Sequence, residues 1–179
     1  SMDGDIWSMD IQNRSMHKVL DSEKANGQSF AGWASSQHIL LISRDNSETR
    51  LVYFPEYVDT FVEPGESRRG LYTTTYSVMH LDSTSTQELL TSQGWVSTQV
   101  SPTGDYFALD AVDAPMKHRQ IHIWSSQTGE LTTVFEDSTQ GWIYGRNMSF
   151  APSSNTLMFQ SEQTGWNHVY TVSPNGLDL

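Results

Sequence analysis

Residues 27–31, Gly-Gln-Ser-Phe-Ala, come within one residue of the G-x-S-x-G pattern that carries the nucleophile of many hydrolases. That chemistry needs a buried strand before the serine and a helix after it, so that the hydroxyl lies on a sharp turn beside an oxyanion hole. Here the polar residues 21–26 precede Ser29, and a strand-like segment follows it. The pattern therefore predicts the start of an ordinary strand, and we assign no catalytic residue to this chain.

His118 and His122 are four residues apart, a spacing that on a helix places two imidazoles on one face for a metal ion. The residues around them are typical of a strand, and no acidic segment accompanies them. The chain also has no cysteine, which excludes disulfides, Cys-ligated zinc and a thiol nucleophile. We therefore expect neither a metal site nor a cofactor.

Two carboxylate pairs, Asp110 with Asp113 and Glu136 with Asp137, could in principle serve glycoside hydrolysis. That reaction needs a defined separation between two carboxylates, and nothing in the spacing provides one. We predict that they solvate loops.

Tryptophans could stack on sugars, but Trp33, Trp95 and Trp142 recur near the first strands of a repeat described below. Large apolar side chains at such positions are suited to packing between sheets. We predict that these three side chains belong to the core.

The most mixed-charge stretch contains Glu63, Glu66, Arg68 and Arg69. Such a stretch is suited either to a solvated loop or to contact with a substrate or partner. These four residues are the candidate contact residues of the sequence, and both interpretations stay open.

Composition excludes several classes of protein. The 179 residues carry 10 Lys and Arg against 21 Asp and Glu, a formal charge of −11, which disfavours binding to nucleic acid. No apolar run approaches the ~18 residues of a membrane span. Six Trp, seven Tyr and seven Phe indicate a packed fold. The cellular compartment is left open.

Strand patterns dominate the chain, which contains 24 serines and 17 threonines. Short β-branched or aromatic runs, for example Trp95–Val100, Met148–Phe150 and His168–Val172, recur between polar turns at the spacing of all-β folds. Helical periodicity with caps at both ends is absent. The sequence predicts an all-β protein.

An internal repeat defines the architecture. Residues 100–109 align with residues 150–159 at an offset of 50, and residues 33–42 fit the same frame. Each unit places a small-residue turn between two strands, and a third strand follows. In the unit that starts at residue 100, a fourth strand comes after a further turn. Four strands in 40–50 residues are typical of a β-propeller blade.

The count of blades is about three to four, too few to guarantee closure, because a closed propeller needs at least ~4. The predicted parts are the end of a blade at 1–20, a blade at 28–90 with an inserted arm at 55–74, a blade at 95–136 and an incomplete blade at 142–179. We expect one incomplete propeller domain whose open edges allow self-association.

Residues 161–170, Ser-Glu-Gln-Thr-Gly-Trp-Asn-His-Val-Tyr, resemble a strand-loop-strand motif in the N-terminal propeller of dipeptidyl-peptidase-IV-like serine peptidases of the prolyl oligopeptidase family. Residues 119–124, 128–132 and 141–143 follow the order seen upstream of that motif in bacterial members. The resemblance implies a propeller that caps an α/β-hydrolase domain of the same parent chain and restricts access to peptide substrates.

The family's catalytic residues have no match here, and neither does the Tyr-Glu-Glu segment that binds the substrate's amino terminus, since the chain contains no adjacent glutamate pair. The expected function is a non-catalytic propeller segment that gates access and helps to position a peptide for a hydrolase domain outside this chain. The alternative is a stand-alone propeller that binds protein or glycan partners.

Overall fold

The structure is a computed structural model that describes residues 5–21, 23, 27–45, 72–83, 85–144 and 147–176. This part of the chain contains thirteen strands and no helix, so no helix able to cross a membrane is found in it. The strands are β1 (Ile6–Met9), β2 (Met16–Leu20), β3 (Ser29–Trp33), β4 (His38–Asp45), β5 (Thr73–His80), β6 (Thr86–Ser92), β7 (Trp95–Val100), β8 (Tyr106–Val112), β9 (His118–Ser125), β10 (Leu131–Ser138), β11 (Met148–Phe150), β12 (Leu157–Ser161) and β13 (His168–Val172).

The strands form four antiparallel sheets in chain order. Sheet 1 contains β1 and β2, sheet 2 contains β3 to β6, sheet 3 contains β7 to β10, and sheet 4 contains β11 to β13. Every strand pairs only with its sequence neighbours in the described part of the chain. The predicted all-β, incomplete propeller is confirmed. The blade bounds 1–20, 28–90, 95–136 and 142–179 stay a prediction.

Alternation of side chains lets each four-stranded sheet fill two interfaces. On β8, Phe107 and Leu109 pack toward sheet 2, whereas Ala108 packs toward sheet 4. On β9, Trp124 joins the sheet 2 side, and Ile121 joins the sheet 4 side. Burial of each large apolar side chain contributes about 1.5–3 kcal/mol, so these interfaces hold neighbouring sheets together.

Three buried apolar clusters result, one at each interface between consecutive sheets. The cluster between sheets 1 and 2 contains Val19, Ile39, Leu41 and Met79. The cluster between sheets 2 and 3 contains Ala34, Leu40, Val78, Leu89, Phe107, Leu109 and Trp124. The cluster between sheets 3 and 4 contains Ala108, Ile121, Ile123, Val134, Phe135, Phe150, Leu157, Phe159 and Val172.

The two aligned repeats form equivalent hairpins, β7–β8 and β11–β12. In the first hairpin the Gly104 N–H donates to the Ser101 carbonyl at 2.9 Å, and Gly104 has a φ of +74°, which glycine adopts at little cost. The Thr103 hydroxyl donates to Asn155 Oδ1 at 2.9 Å and so joins the two equivalent turns. This bond fixes sheet 3 beside sheet 4 at one end of the hairpins.

The prediction that Trp33, Trp95 and Trp142 belong to the core is wrong, because their side chains are 52, 63 and 61 % exposed. Trp33 and Trp95 lie on β3 and β7, which are edge strands among the described strands, and Trp142 lies in a loop. Trp124 on the inner strand β9 is the buried tryptophan, 1 % exposed.

Candidate functional site

The four candidate contact residues, Glu63, Glu66, Arg68 and Arg69, lie outside the described residues, as does most of the predicted arm at 55–74. Their role stays a prediction.

Ser29 begins β3, and its hydroxyl donates to the Ile42 carbonyl of the adjacent strand at 3.4 Å. The strand β3 follows it, and no helix does in the part of the chain that the structure describes, which agrees with the strand start predicted from the sequence. A different serine, Ser35, places its hydroxyl 2.8 Å from His38 Nδ1. Ser35 is buried, and its hydroxyl also accepts the Gln37 N–H at 3.1 Å, which makes it a turn residue. Within the described ranges, no carboxylate orients this imidazole.

His118 and His122 both lie on the strand β9. His118 is exposed, whereas His122 is buried, with Nδ1 2.9 Å from the Thr133 hydroxyl. Among the described residues, the Nε2 atom of His122 has no hydrogen-bond partner. The described residues contain no group of three metal-ligating side chains. His122 is therefore a buried side chain of sheet 3, whereas His118 is a surface residue of the same strand.

Burial lowers the pKa of His122, with Glu136 acting in the opposite direction. Burial also lowers the pKa of His38, and the neighbouring His80 adds to this effect. The His38 ring makes edge contacts with His80 at 4.8 Å and with Trp124 at 5.0 Å. Both histidines thus lie neutral in the interface of sheets 2 and 3.

Acid will weaken this interface. As pH falls below about 6.5, the unfolded chain takes up protons on these histidines first, so the free energy of unfolding decreases until the folded-state pKa values are passed. Urea unfolding at pH 7.5, 6.5 and 5.5, followed by tryptophan fluorescence, measures this slope. The double variant His38→Asn, His122→Asn keeps the Ser35 and Thr133 contacts and should flatten it. An equally steep decline in the variant would contradict the assignment.

Asp110 is not the loop carboxylate predicted from the sequence. It lies on β8, is 2 % exposed, and accepts hydrogen bonds from Arg119 Nε and Nη2 on β9, both at 2.8 Å. The pairing of β8 with β9 places the two side chains on one face, where a bidentate ion pair satisfies both charges. Asp113 does anchor a loop, since its carboxylate accepts the N–H groups of Lys117 and His118.

Arg119 also joins sheet 3 to sheet 4. Its Nη1 donates to the Gln160 carbonyl on β12, and its guanidinium lies 5.8 Å from the Phe135 ring and 5.7 Å from the Phe159 ring. Arg119 is 1 % exposed. The sequence signal for this pair is a charged residue in each of two apolar strands, but the pairing itself depends on the register of the hairpin.

The loop that carries the resemblance is held by Ser161, a buried residue at the end of β12. Its hydroxyl donates to Asp137 Oδ2 of sheet 3 at 3.0 Å and accepts the Gln163 N–H at 3.2 Å. Gly165 then closes a turn through its N–H to the Glu162 carbonyl at 2.8 Å, with a φ of +89°. The spacing of serine and glycine in the motif thus presents Glu162 and Trp166 at the surface.

A second loop, which contains Trp142 and Tyr144, faces this one. Lys117 Nζ donates to the carbonyls of Gln140 and Gly141, and the Ile143 N–H donates to the Met116 carbonyl at 3.0 Å. Ile143 is buried beneath the loop, while Trp142 and Tyr144 are exposed and contact edge to face at 6.1 Å. The loop is therefore anchored through its backbone and offers aromatic rings to solvent.

Between these loops and β7 lies a cleft of about 580 Å³. Its lining residues come from β7 and β8 of sheet 3, from the loop before β11, from β12, and from the loop between β12 and β13. They are Trp95, Val96, Ser97, Asp110, Tyr144, Asn147, Gln160, Glu162 and Asn167. This cleft is the candidate site, and the sequence did not single it out.

The chemistry of the cleft is neutral to acidic. Two exposed aromatic rings, Trp95 and Tyr144, stand among amide side chains, and Glu162 is an exposed carboxylate. No lysine or arginine is among the described lining residues, and Asp110 is neutralised by Arg119 beneath the floor. Such a lining suits a ligand with both hydrogen-bond donors and acceptors and with some apolar surface.

Four antiparallel sheets packed face to face define the chain as part of a β-propeller. The sequence profile of the dipeptidyl peptidase IV N-terminal region matches residues 69–178, more than half of the chain. The chain belongs to this family. A comparison with the curated proteins finds no match.

Solved structures of similar fold include dipeptidyl peptidase 4 of Porphyromonas gingivalis, with a TM-score of 0.69 and 12 % identity over 99 % of this chain and 29 % of that one. A candidate dipeptidyl aminopeptidase IV from Bacteroides ovatus has a TM-score of 0.60 and 13 % identity over 97 % of this chain and 30 % of that one. Pyrococcus horikoshii acylaminoacyl peptidase has a TM-score of 0.52 and 17 % identity over 94 % and 27 %. The chain thus spans less than a third of each structure, and identities this low show the fold alone.

Proposed function

We propose that this chain is a non-catalytic propeller segment of a dipeptidyl-peptidase-IV-like serine peptidase. In this proposal it restricts access and helps to position a peptide for an α/β-hydrolase domain of the same parent chain. The observation that carries the proposal is the family membership of residues 69–178 combined with a cleft built by the loop at residues 161–170, the segment that resembles the peptidase motif.

The described side chains support a positioning role rather than a catalytic one. Two serine–histidine contacts are found in the described ranges, Ser35 with His38 and Ser15 with His17, and neither imidazole is hydrogen-bonded to a carboxylate there. A hydrolytic triad needs such an orienting carboxylate. The reaction would therefore depend on residues of the hydrolase domain, and the propeller would contribute contacts with substrate.

Hydrolysis assays test this proposal. We expect the 179-residue chain to release no chromophore from chromogenic dipeptide substrates, whereas the product of the complete reading frame does so. The complete enzyme should cleave short peptides and leave folded proteins intact. Turnover by the 179-residue chain, or a complete product with no hydrolase domain and no activity, would refute the proposal.

A stand-alone binding module for protein or glycan partners is the second candidate. The exposed rings of Trp95 and Tyr144 favour it, since the serine of the cleft, Ser97, has no histidine beside it among the described lining residues. Two observations together would support this candidate: a stop codon soon after Leu179, and binding of the chain to glycans when no peptide is present. In either case Glu63, Glu66, Arg68 and Arg69 remain proposed contact residues, to be tested by charge-removing variants in the binding assay.

A further inference from the structure

The strand β7 has one open backbone edge among the described strands, and the cleft reaches the start of this strand at Trp95, Val96 and Ser97. The Ser101 N–H donates to the Tyr106 carbonyl at 2.8 Å, and the Ser126 N–H donates to the Asp105 carbonyl at 2.8 Å. Because bonded pairs alternate in antiparallel strands, these two bonds set the direction of every backbone group in β7 and β8. The odd-numbered residues of β7 bond to β8, and the even-numbered residues point to the open edge.

The open-edge residues are Val96, Thr98 and Val100. Among the described residues, their N–H and C=O groups have no hydrogen-bond partner, since β7 pairs with β8 alone. The adjacent strand β11 lies beside β7 in the next sheet but does not pair with it. These three residues of the six-residue strand β7 therefore offer a template for one more strand.

This edge lacks the features that usually protect edge strands, such as charges, proline and bulges. The sequence of β7, Trp-Val-Ser-Thr-Gln-Val, contains neither a charged residue nor a proline. Its register with β8 runs without irregularity from Trp95 to Val100. By contrast, the pairing of β3 with β4 is irregular between Phe30 and Gly32. The edge of β7 is thus both regular in its pairing and rich in β-forming residues.

The cleft beside this edge suits the backbone and side chains of an extended peptide. The Asn147 amide donates to Gln160 Oε1 at 2.8 Å, and Asn167 adds a further amide on the same side. Tyr144 offers an apolar face, and Glu162 a negative charge. A strand added to β7 would alternate its side chains between this wall and the opposite face.

We propose that a peptide binds by strand addition to β7, starting in this cleft at Val96 and continuing along the open edge, through main-chain hydrogen bonds to Val96, Thr98 and Val100. The inference rests on the proposed function and names how that site holds its substrate. The occupant is a single extended peptide of neutral to basic composition, because the described lining is uncharged apart from Glu162 and the Arg119-neutralised Asp110. A second copy of this chain would bring a formal charge of −11 to a cleft that carries Glu162, so charge favours a separate neutral to basic peptide over a second copy.

Two variants separate this mode from other contacts. Thr98→Pro removes an N–H on the open side, where proline is tolerated because that group does not bond to β8. Thr98→Val keeps the N–H and serves as the matched control. The probe is a dye-labelled hexapeptide, acetyl-Lys-Thr-Val-Thr-Val-Lys amide, and binding to the 179-residue chain is followed by fluorescence anisotropy.

We expect Thr98→Pro to raise the Kd at least tenfold and Thr98→Val to leave it within twofold. Alternate N–H groups of an added strand face β7. Two further probes are therefore N-methylated at adjacent central residues, one in each probe. One of them should bind at least tenfold more weakly, and the other should bind like the unmethylated probe. The probe comparison uses the unmodified protein and is independent of any folding defect in Thr98→Pro.

Three results of the anisotropy experiments would overturn the proposal: no binding of the probe, equal binding to Thr98→Pro and Thr98→Val, or equal losses for both N-methylated probes. Light scattering can give a fourth. If the chain self-associates and Thr98→Pro alone abolishes this, while the probe does not compete, then a second copy occupies the edge and the peptide assignment is wrong. If the probe does not bind, the product of the complete reading frame can still hydrolyse peptides. Failure of strand addition is therefore distinguishable from failure of the proposed function, which the hydrolysis assays test.

Discussion

Replacement of Arg119 by methionine will lower the free energy of unfolding by about 3–5 kcal/mol, since it leaves the buried carboxylate of Asp110 without its partner. The variant also loses the hydrogen bond to the Gln160 carbonyl across the two sheets. Urea unfolding at pH 7, followed by tryptophan fluorescence, measures the loss. The effect should exceed that of most single substitutions in this fold, because few side chains are both charged and fully buried.

The matched control is the double variant Arg119→Met, Asp110→Leu, which removes both charges. Buried ion pairs are often replaced by apolar residues at little cost, so the double variant should recover most of the stability lost in Arg119→Met. A double variant no more stable than Arg119→Met would show that the ion pair itself stabilises the packing of sheet 3 on sheet 4. A loss below about 1 kcal/mol in Arg119→Met would contradict the burial of the pair.

Replacement of Gly94 by alanine will destabilise the protein by about 3 kcal/mol. Gly94 lies in the connection between β6 and β7, and a Cβ there would come within 1.8 Å of the Val112 carbonyl oxygen and 2.7 Å of the Asp113 carbonyl carbon. Both atoms belong to the backbone at the end of β8, so the clash cannot be relieved by a side-chain rotation. The same unfolding experiment measures it.

Gly32→Ala is the control for this prediction. A Cβ at Gly32 would meet no atom of the described residues within 4 Å, so alanine in β3 should be neutral or stabilise by up to about 1 kcal/mol. Equal effects of the two glycine substitutions would refute the close approach of β8 to the connection at Gly94. Equal effects would also mean that β7 lies in a different position, and the shape of the cleft depends on the position of β7.

The strands and their order could be predicted because their signals are local. Trp95–Val100, Met148–Phe150 and His168–Val172 are found where alternation and flanking turns predict them. The repeat at an offset of 50 residues also predicts the turn residues, since Gly104 adopts the positive φ that its turn requires. Local pattern and turn residues therefore determined the fold class.

The site could not be predicted in the same way, because its parts meet only through packing between sheets. The sequence predicts that Asp110 is a loop carboxylate, whereas the register of β8 with β9 places it beside Arg119. Trp95 looked like a core residue, but its strand has a neighbour on one side only. Exposure and ion pairing of this kind depend on which sheet edge a residue occupies, and a single sequence does not state that.

The motif at residues 161–170 could be predicted in part. Its serine and glycine have structural roles that the structure makes clear, as an anchor to Asp137 and as a turn residue. Its glutamate is presented to the cleft. Sequence resemblance found the segment, whereas the roles of its residues required the neighbouring sheet.

The most direct test of the account is the kinetics of peptide hydrolysis by the product of the complete reading frame. Glu162→Gln and Thr98→Pro should each raise KM for an extended peptide at least fivefold and leave kcat within twofold, and neither should change hydrolysis of a chromogenic dipeptide too short to reach the cleft. Unchanged KM for the extended peptide in both variants, or an equal loss of kcat on both substrates, would contradict a propeller cleft that positions substrate for a separate catalytic domain.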